Sequence, residues 1–217
     1  MPEQSQPSLP VADGEPLVEF IALMARMRAE CAWKAGQTHE SLARFLLEEA
    51  HETLEAIDSG DPVHLREELG DLLLQVYFHA EIAREAGEFT IDDVVAGLSE
   101  KMVRRNPHIF TDTGDDRPTD PAAIDELWQQ MKAEEKRRTS VFDGIPPTLP
   151  ALLLADKVLD RLERAGTPTE PATSSASEQR DGLEDEIGRR LLGVVEDARR
   201  AGVDPERALR TVVRRMG

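Results

Sequence analysis

Apolar residues recur along much of this chain at the three- and four-residue spacing of amphipathic helices. The first such segment begins near Pro16, a residue favoured in the first turn of a helix. Further segments of this kind predict helices at about 41–58, 62–86, 90–105, 122–138, 149–165, 182–201 and 205–215. No segment shows the strict alternation of a half-buried β-strand. The pattern therefore predicts an all-α protein.

Residues with capping chemistry mark several of the predicted helix boundaries. Asp61 precedes Pro62 and is expected to cap the helix that follows. Thr90 and Asp93 have the spacing of a capping box. Residues 31–41 and 111–121 break the helical pattern, so both segments are expected to be loops.

Two consecutive predicted helices carry an unusual number of carboxylates. Glu49 and Glu52 lie three positions apart and share one helix face, and Glu68 and Asp71 do so on the next helix. A short turn joins the two helices, so we expect them to pack as antiparallel neighbours. The two acidic pairs should then face each other across the groove between the helices.

Residues 45–64 contain no lysine or arginine that could relieve the repulsion among these acids. Two carboxylates 4 Å apart repel by about 1 kcal/mol in water and by about 4 kcal/mol at a partly buried site. A divalent cation relieves this repulsion directly, and an all-oxygen site suits Mg²⁺, with Mn²⁺ as an alternative. The sequence thus predicts a metal site at Glu49, Glu52, Glu68 and Asp71.

Two other interpretations of the acidic helices stay open at this point. The carboxylates could form an ordinary solvated face of a helical interaction module without catalytic activity. Alternatively, Glu48 and His51 have the E-x-x-H spacing of di-iron bundles. Such bundles need a second E-x-x-H pair, whereas Glu68 is followed three positions later by Asp71, and His79 lies two turns further along the helix.

Charge and composition narrow the range of partners and compartments. The 217 residues include 43 acidic and 26 basic side chains and carry a net charge of −17, which disfavours binding to a nucleic-acid polymer. The one cysteine cannot form an internal disulfide and fits a reducing compartment. The N-terminal residues lack the apolar core of a signal peptide, and no apolar run reaches the roughly 20 residues of a membrane span. We therefore expect a cytoplasmic protein without membrane association.

Five segments together resemble the MazG family of nucleoside triphosphate pyrophosphohydrolases. The acidic helices contain "EEAHE" and "EELGD", which resemble the family's E-E-x-x-E and E-x-x-D signature. The other matching segments, in chain order, are "CAWKAGQTHESL", "SEKMVRRNPHIF" and "SVFDGIPPTLPALLLADKV". Within the first of these, Ala32 and Lys34 stand where the family has proline and aspartate. The resemblance covers residues 17–165 in order.

The resemblance implies a fold, a reaction and a set of residue roles. The fold would be an antiparallel helical bundle completed by dimerisation, or by a higher homo-oligomer. The reaction would be Mg²⁺-dependent hydrolysis of (d)NTPs to (d)NMP and pyrophosphate in nucleotide-pool housecleaning. Metal ligands would be Glu49, Glu52, Glu68 and Asp71; catalytic residues would be Glu48, Glu49 and Glu52; substrate-binding residues would be Lys101, Arg104, Arg105, Trp128, Trp33 and His39.

A degenerate half-repeat is expected at the C-terminal end. Residues 183–198 align with residues 65–80 at an offset of 118, but Arg189 falls at the position of Asp71 and no E-E-x-x-E helix precedes it. A chance match between two amphipathic helices is the alternative. The predicted organisation is a disordered leader (1–14), a MazG-like catalytic domain (15–138), a turn and connecting helix (139–165), a flexible linker (166–181) and the half-repeat (182–217).

Overall fold

The protein is helical throughout the part of the chain that can be described. The computed structural model describes residues 16–110, 119–136, 140–167 and 179–216, and these residues contain α-helices and no β-strand. None of these helices combines the length and apolar character needed to cross a membrane. The all-α prediction is confirmed. The helices are α1 (Pro16–Glu30), α2 (Ala32–Ala35), α3 (His39–Ser59), α4 (Pro62–Ala86), α5 (Ile91–Arg105), α6 (Pro107–Phe110), α7 (Pro121–Lys136), α8 (Ala151–Arg164), α9 (Gln179–Arg200) and α10 (Pro205–Arg214).

The predicted capping residues form the expected hydrogen bonds. The Asp61 carboxylate accepts hydrogen bonds from the backbone N–H groups of Val63 and His64 at the start of α4. Thr90 and Asp93 form a reciprocal capping box at the start of α5. Gly87 ends α4 with a positive φ of 72°, a conformation that a residue with a Cβ adopts at a cost. These three boundaries are confirmed.

Two short helices occupy segments where the sequence predicts a loop or a stop. Helix α2 lies inside the predicted loop 31–41, and α3 begins at His39 because Thr38 and Ser41 form a capping box. Helix α6 follows Asn106, where the sequence predicts that α5 ends. The predicted leader 1–14, and most of the predicted loop 111–121 and linker 166–181, lie outside the described residues.

The chain divides into two units, with the boundary after Trp128. In the first unit α3 packs along α4, and α1, α2 and α5 complete the packing around this pair. His39 near the start of α3 contacts His79 near the end of α4, so the two helices are antiparallel, as the sequence predicts. The core of this unit contains Met24, Leu42, Tyr77 and Phe78.

A buried arginine fixes the segment that joins α1 to α3. Arg28 is 6% exposed, and its guanidinium donates two hydrogen bonds to the carboxylate of Glu85 on α4, at 2.9 and 2.6 Å. The same guanidinium donates to the backbone carbonyls of Lys34 and Gln37 at 2.7 and 3.3 Å. One side chain of α1 therefore holds both α4 and the segment that carries Trp33.

The second unit is built from α8, α9 and α10, each of which contacts the other two. Val195 of α9 and Leu159 of α8 are buried. Arg199 of α9 donates hydrogen bonds to Asp156 and Asp160 of α8. Four other apolar residues of α9, which recur at helical spacing, are nonetheless exposed: Leu183, Ile187, Leu191 and Val194.

Candidate metal centre

Three carboxylates of the first unit converge in the groove between α3 and α4. Glu49, Glu68 and Asp71 each place one oxygen atom so that all three oxygens lie within 4.8 Å of one another. We call these residues the carboxylate triad. Glu68 and Asp71 share one face of α4 because they are three positions apart. The antiparallel packing brings Glu49 of α3 opposite them, and the three side chains are among the four that the sequence predicts as metal ligands.

The hydrogen bonding of Glu68 leaves one oxygen unused. Glu68 is 8% exposed, and its Oε1 lies 3.0 Å from Nε2 of His64. Its Oε2 is buried and has no hydrogen-bond partner among the described residues. Thr53 of α3 packs beside this residue and donates a hydrogen bond to the backbone carbonyl of Glu49 at 2.8 Å. A buried carboxylate oxygen without a partner is costly, and a bound cation would satisfy it.

Crowding in the triad changes the acidity of Glu49. Burial raises the pKa of the Glu49 carboxyl above its ordinary value, and the negative charges of Asp71, Glu52, Glu68 and Glu48 raise it further, in that order. A positive ion at the centre of the triad would oppose both effects. The electrostatics therefore favour either a proton or a cation at this position.

Glu52 lies outside the triad. Its side chain is exposed, although its charge is close enough to raise the pKa of Glu49. Glu48 and His51, the E-x-x-H pair of the di-iron interpretation, are also exposed. The triad offers carboxylate oxygens alone, a donor set that fits Mg²⁺ or Mn²⁺.

A pair of stacked histidines lies between α3 and α4, two turns beyond Asp71. The Nδ1 atoms of His39 and His79 are 2.7 Å apart, and the rings are parallel with centroids 5.0 Å apart. Burial and the nearby His39 lower the pKa of His79. The sequence indicates His39 as a pocket residue but assigns no role to His79, although the spacing of residues 68, 75 and 79 places them on one face of α4.

Trp33 lies beside the same helix pair. Its ring is 55% exposed and contacts Phe45 of α3 edge to face, with centroids 6.3 Å apart. Lys34 places its ammonium 5.4 Å from the centroid of the Trp33 ring. Phe45 is four positions before Glu49, so an exposed aromatic surface lies about one helical turn from the triad along α3.

The predicted substrate-binding cations lie in the last turns of α5. Arg105 is buried, and its guanidinium lies 5.3 Å from the ring centroid of Trp128 on α7. Arg104 is exposed and Lys101 is half-buried. The structure thus brings Arg105 and Trp128 together. His108, two residues after Asn106, is also buried, and the sequence does not indicate a role for it.

The helix pair and its triad define a class of protein: an all-α protein with an all-oxygen carboxylate cluster between two antiparallel helices. A family profile described as the MazG nucleotide pyrophosphohydrolase domain matches residues 37–110. This range contains the whole triad and both histidines of the stacked pair.

Known proteins with related sequences give a longer match. The nucleoside triphosphate pyrophosphohydrolase/pyrophosphatase MazG of Thermotoga maritima is 38% identical over 213 residues, which covers 91% of this chain and 81% of that protein. The nucleoside triphosphate pyrophosphohydrolase of Escherichia coli K12 is 36% identical, covering 88% of this chain and 80% of that protein. An uncharacterized 26.1 kDa protein of Streptomyces cacaoi is 42% identical over 91% of this chain and 78% of its own length. The chain therefore belongs to the MazG family, and the resemblance drawn from its motifs is confirmed.

A crystal structure of a mazG-related protein from Thermotoga maritima aligns with 53% of this chain and 97% of that chain. The TM-score of this alignment is 0.46 and the sequence identity is 23%. This similarity is too low to define a shared fold by itself, so the assignment to the family rests on the sequence relatives.

Proposed function

We propose that this protein hydrolyses (deoxy)nucleoside triphosphates between the α- and β-phosphates and releases the monophosphate and pyrophosphate. The observation that carries the proposal is the carboxylate triad, in which Oε2 of Glu68 is buried and has no hydrogen-bond partner among the described residues. A triphosphate carries about four negative charges, so its cleavage depends on charge neutralisation and positioning. Acting in the cytoplasm, such an enzyme would remove unwanted nucleotides from the pool.

Magnesium is the proposed cofactor, held by Glu49, Glu68 and Asp71, with Glu52 as a further ligand. When bound, it would neutralise phosphate charge and lower the pKa of a coordinated water. A bound cation would oppose the burial and the negative charges that raise the pKa of Glu49, so this side chain would release its proton more readily once a cation is present. Glu48 and Glu52, exposed beside the triad, are proposed to orient the attacking water.

The remaining predicted residues are proposed to hold the substrate. Lys101, Arg104 and Arg105 would bind phosphate oxygens through their positive charges. Trp33, His39 and Trp128 would contact the nucleoside, because aromatic side chains offer flat surfaces for a base or a sugar.

The test is an assay of the purified protein with a panel of nucleoside triphosphates and Mg²⁺, with the products separated. Monophosphate and pyrophosphate in equal amounts are expected. Diphosphate and orthophosphate would contradict the proposed cleavage position. No turnover, together with a melting temperature that Mg²⁺ does not change, would favour a non-catalytic interaction module, and stoichiometric iron in the purified protein would favour the di-iron interpretation.

We also propose that the active form is a homodimer or a higher homo-oligomer. The helices α3, α4 and α5 expose many large apolar side chains, more than the small core of the first unit buries. A second copy would cover them. The exposed residues are Leu46, Leu47, Leu54, Ile57, Val63, Leu69, Leu73, Val76, Val94, Val95, Leu98 and Val103. Sedimentation at micromolar concentration tests this, since a single species of 24.1 kDa would contradict it.

A further inference from the structure

Three buried polar atoms without hydrogen-bond partners lie along one face of α4. They are Oε2 of Glu68, Oε1 of Gln75 and Nε2 of His79. At about 100° per residue, these three positions fall within about 40° of one another around the helix axis. Gln75 is the most deeply buried of the three, at 5% exposure. We call this set the unpartnered row.

The unpartnered row faces α3 and leads away from the carboxylate triad. At one end Glu68 meets Glu49, and at the other end His79 meets His39, both across the same groove. Gln75 lies between these two contacts, about 6 Å along the axis from Asp71 and from His79, because each residue advances a helix by about 1.5 Å. The row therefore joins the proposed metal site to the stacked histidines.

A metal ion at the triad satisfies Glu68 but leaves Gln75 and His79 unsatisfied. A buried side-chain oxygen or ring nitrogen without a partner destabilises a fold, so native proteins usually pair it. A partner for this row must be small and polar, must extend from the triad, and need carry no charge, because burial and His39 lower the pKa of His79 and keep that ring neutral. The aromatic rings of Trp33 and Phe45 on the α3 side add a flat apolar surface.

We propose that Gln75, with His79 beside it, recognises the hydrogen-bonding edge of the nucleobase. An amide side chain offers one acceptor and two donors, which matches the adjacent donor and acceptor groups on a base edge. The phosphates would then lie at the triad and the base would lie between Gln75 and the aromatic rings. This inference rests on the proposed function, and it adds two specificity-determining residues to it.

The decisive variant is Gln75→Met, which preserves the shape of the side chain and removes its polar atoms. If the amide binds the base, KM for nucleoside triphosphates should rise about tenfold, the effect of losing one good hydrogen bond. Competitive inhibition by inorganic tripolyphosphate, which has no base, should not change. The melting temperature without ligand should rise by a few degrees, roughly the effect of removing a buried unpartnered group.

A purely structural role for Gln75 predicts the opposite pattern. The variant would then melt at a lower temperature, and nucleotides and tripolyphosphate would weaken together. That result, or an unchanged KM for every nucleotide, overturns the inference. Arg66→Met, at an exposed position of the same helix outside the unpartnered row, is the matched control and should change neither constant.

Two further measurements keep this test separate from the proposed function. If the wild-type protein hydrolyses no nucleotide, the proposed function fails, whereas calorimetric binding of nucleotides with and without the Gln75→Met substitution still tests the base contact. If Gln75→Met does not fold, His79→Phe, which retains a stacked ring, should show the same selective loss of nucleotide affinity. Equal loss for tripolyphosphate in His79→Phe would also overturn the inference.

Discussion

At the residue scale, the central feature of this protein is one buried carboxylate oxygen that nothing in its surroundings satisfies. Oε1 of Glu68 has His64 as a partner, and Oε2 has none. The triad around it places three like charges close together, an arrangement that raises the free energy of the metal-free fold. The same arrangement provides a preformed set of ligands for a hard cation. The repulsion that destabilises the metal-free fold therefore favours binding of the cation.

Removing one ligand charge should separate these two effects. Asp71→Asn is expected to lower turnover on the order of 100-fold or more, because a charge that neutralises the phosphates is no longer correctly held. Its melting temperature in chelator should equal or exceed that of the wild type, because repulsion in the triad falls. Thermal melting and product assays measure both quantities.

Glu67→Gln is the matched control for Asp71→Asn. Glu67 is an exposed carboxylate on the same helix and lies outside the triad. Glu67→Gln removes one negative charge, as Asp71→Asn does. Normal turnover in Glu67→Gln would therefore show that the loss of turnover in Asp71→Asn depends on the position of the charge and not on the net charge of the protein. Near-wild-type activity in Asp71→Asn would remove that residue from the proposed site.

The raised pKa of Glu49 predicts a pH dependence with a definite sign. Its pKa in the folded protein lies above the ordinary value of 4.5, so protonation of Glu49 stabilises the fold. This contribution is fully present below about pH 4.5 and is lost as pH rises through the raised value. As pH rises above about 4.5 and through the raised pKa, the metal-free wild type should therefore lose stability relative to Glu49→Gln.

The stabilisation by Mg²⁺ should grow over the same pH range, because the ion and the proton compete for Glu49. Melting curves of both proteins in chelator and in Mg²⁺ give the comparison. A difference between wild type and Glu49→Gln that stays constant with pH would show that this carboxyl titrates normally.

Helical spacing alone predicts Glu49, Glu68 and Asp71 as partners, because residues three apart share a face and the turn at Gly60 is short. The same spacing predicts Glu52, which the structure leaves exposed and outside the triad. Spacing gives the direction of a side chain only to within a helix face, and it carries no information about which buried atoms lack hydrogen bonds. The roles of Gln75 and His79 therefore emerge from the structure.

At the element scale, the sequence predicts the long helices from their capping residues and apolar spacing, but it does not predict the short helices. Asp61 and Thr90 mark the starts of α4 and α5, because their side chains satisfy free backbone N–H groups in any context. Helices α2 and α6 have four residues each, too few for an apolar period to be visible. The segment around α2 depends instead on Arg28, which reaches it from α1.

The stability of the segment around α2 should depend on Arg28 of α1. Arg28→Met retains the apolar stem but loses the hydrogen bonds to Glu85 and to the backbone carbonyls, at an expected cost of about 3 kcal/mol of unfolding free energy. Arg26→Met removes an exposed ion pair with Glu30 and should cost about 0.5 kcal/mol or less. Chemical denaturation measures both.

The fluorescence of Trp33, which lies in α2, gives a second measurement of how Arg28 holds this segment. Its environment should change in Arg28→Met, because the segment that carries it loses its anchor, and Trp33 fluorescence in the folded variant should shift. If the two arginine variants have equal stability and the emission of Trp33 is unchanged, the hydrogen bonds of Arg28 do not organise this segment.

At the scale of the whole molecule, the second unit contains the segment in which the sequence predicts a degenerate half-repeat, residues 182–217. Arg189, at the position equivalent to Asp71, forms an ion pair with Asp185 at 2.5 Å on the exposed surface of α9. The described residues of this unit contain no cluster like the triad. The apolar residues Leu183, Ile187, Leu191, Val194 and Val195 recur at helical spacing on α9. The unit itself covers Val195, through α8.

Residues 189–217 are locally basic, and part of this positive charge is paired with acidic residues of the second unit. This segment contains eight arginines and four acids. Arg199 lies in this segment, and its guanidinium forms ion pairs with Asp156, Asp160 and Glu163 of α8. These ion pairs join the basic segment to acidic residues of the same unit.

Truncation after residue 170 tests what this unit contributes. The triad lies wholly in the first unit, so the truncated protein should retain the increase in melting temperature with Mg²⁺ and retain turnover. It should also expose Leu159 and leave Asp156 and Asp160 without Arg199, so it should melt at a lower temperature in the absence of metal or change its sedimentation. Val195→Asp in the full-length chain should give the same loss of stability without shortening the protein, because it buries a charge beside α8.

A truncated protein that loses its response to Mg²⁺ would show that the second unit takes part in the site. A truncated protein with unchanged melting, mass and activity would show that the tail is a dispensable remnant.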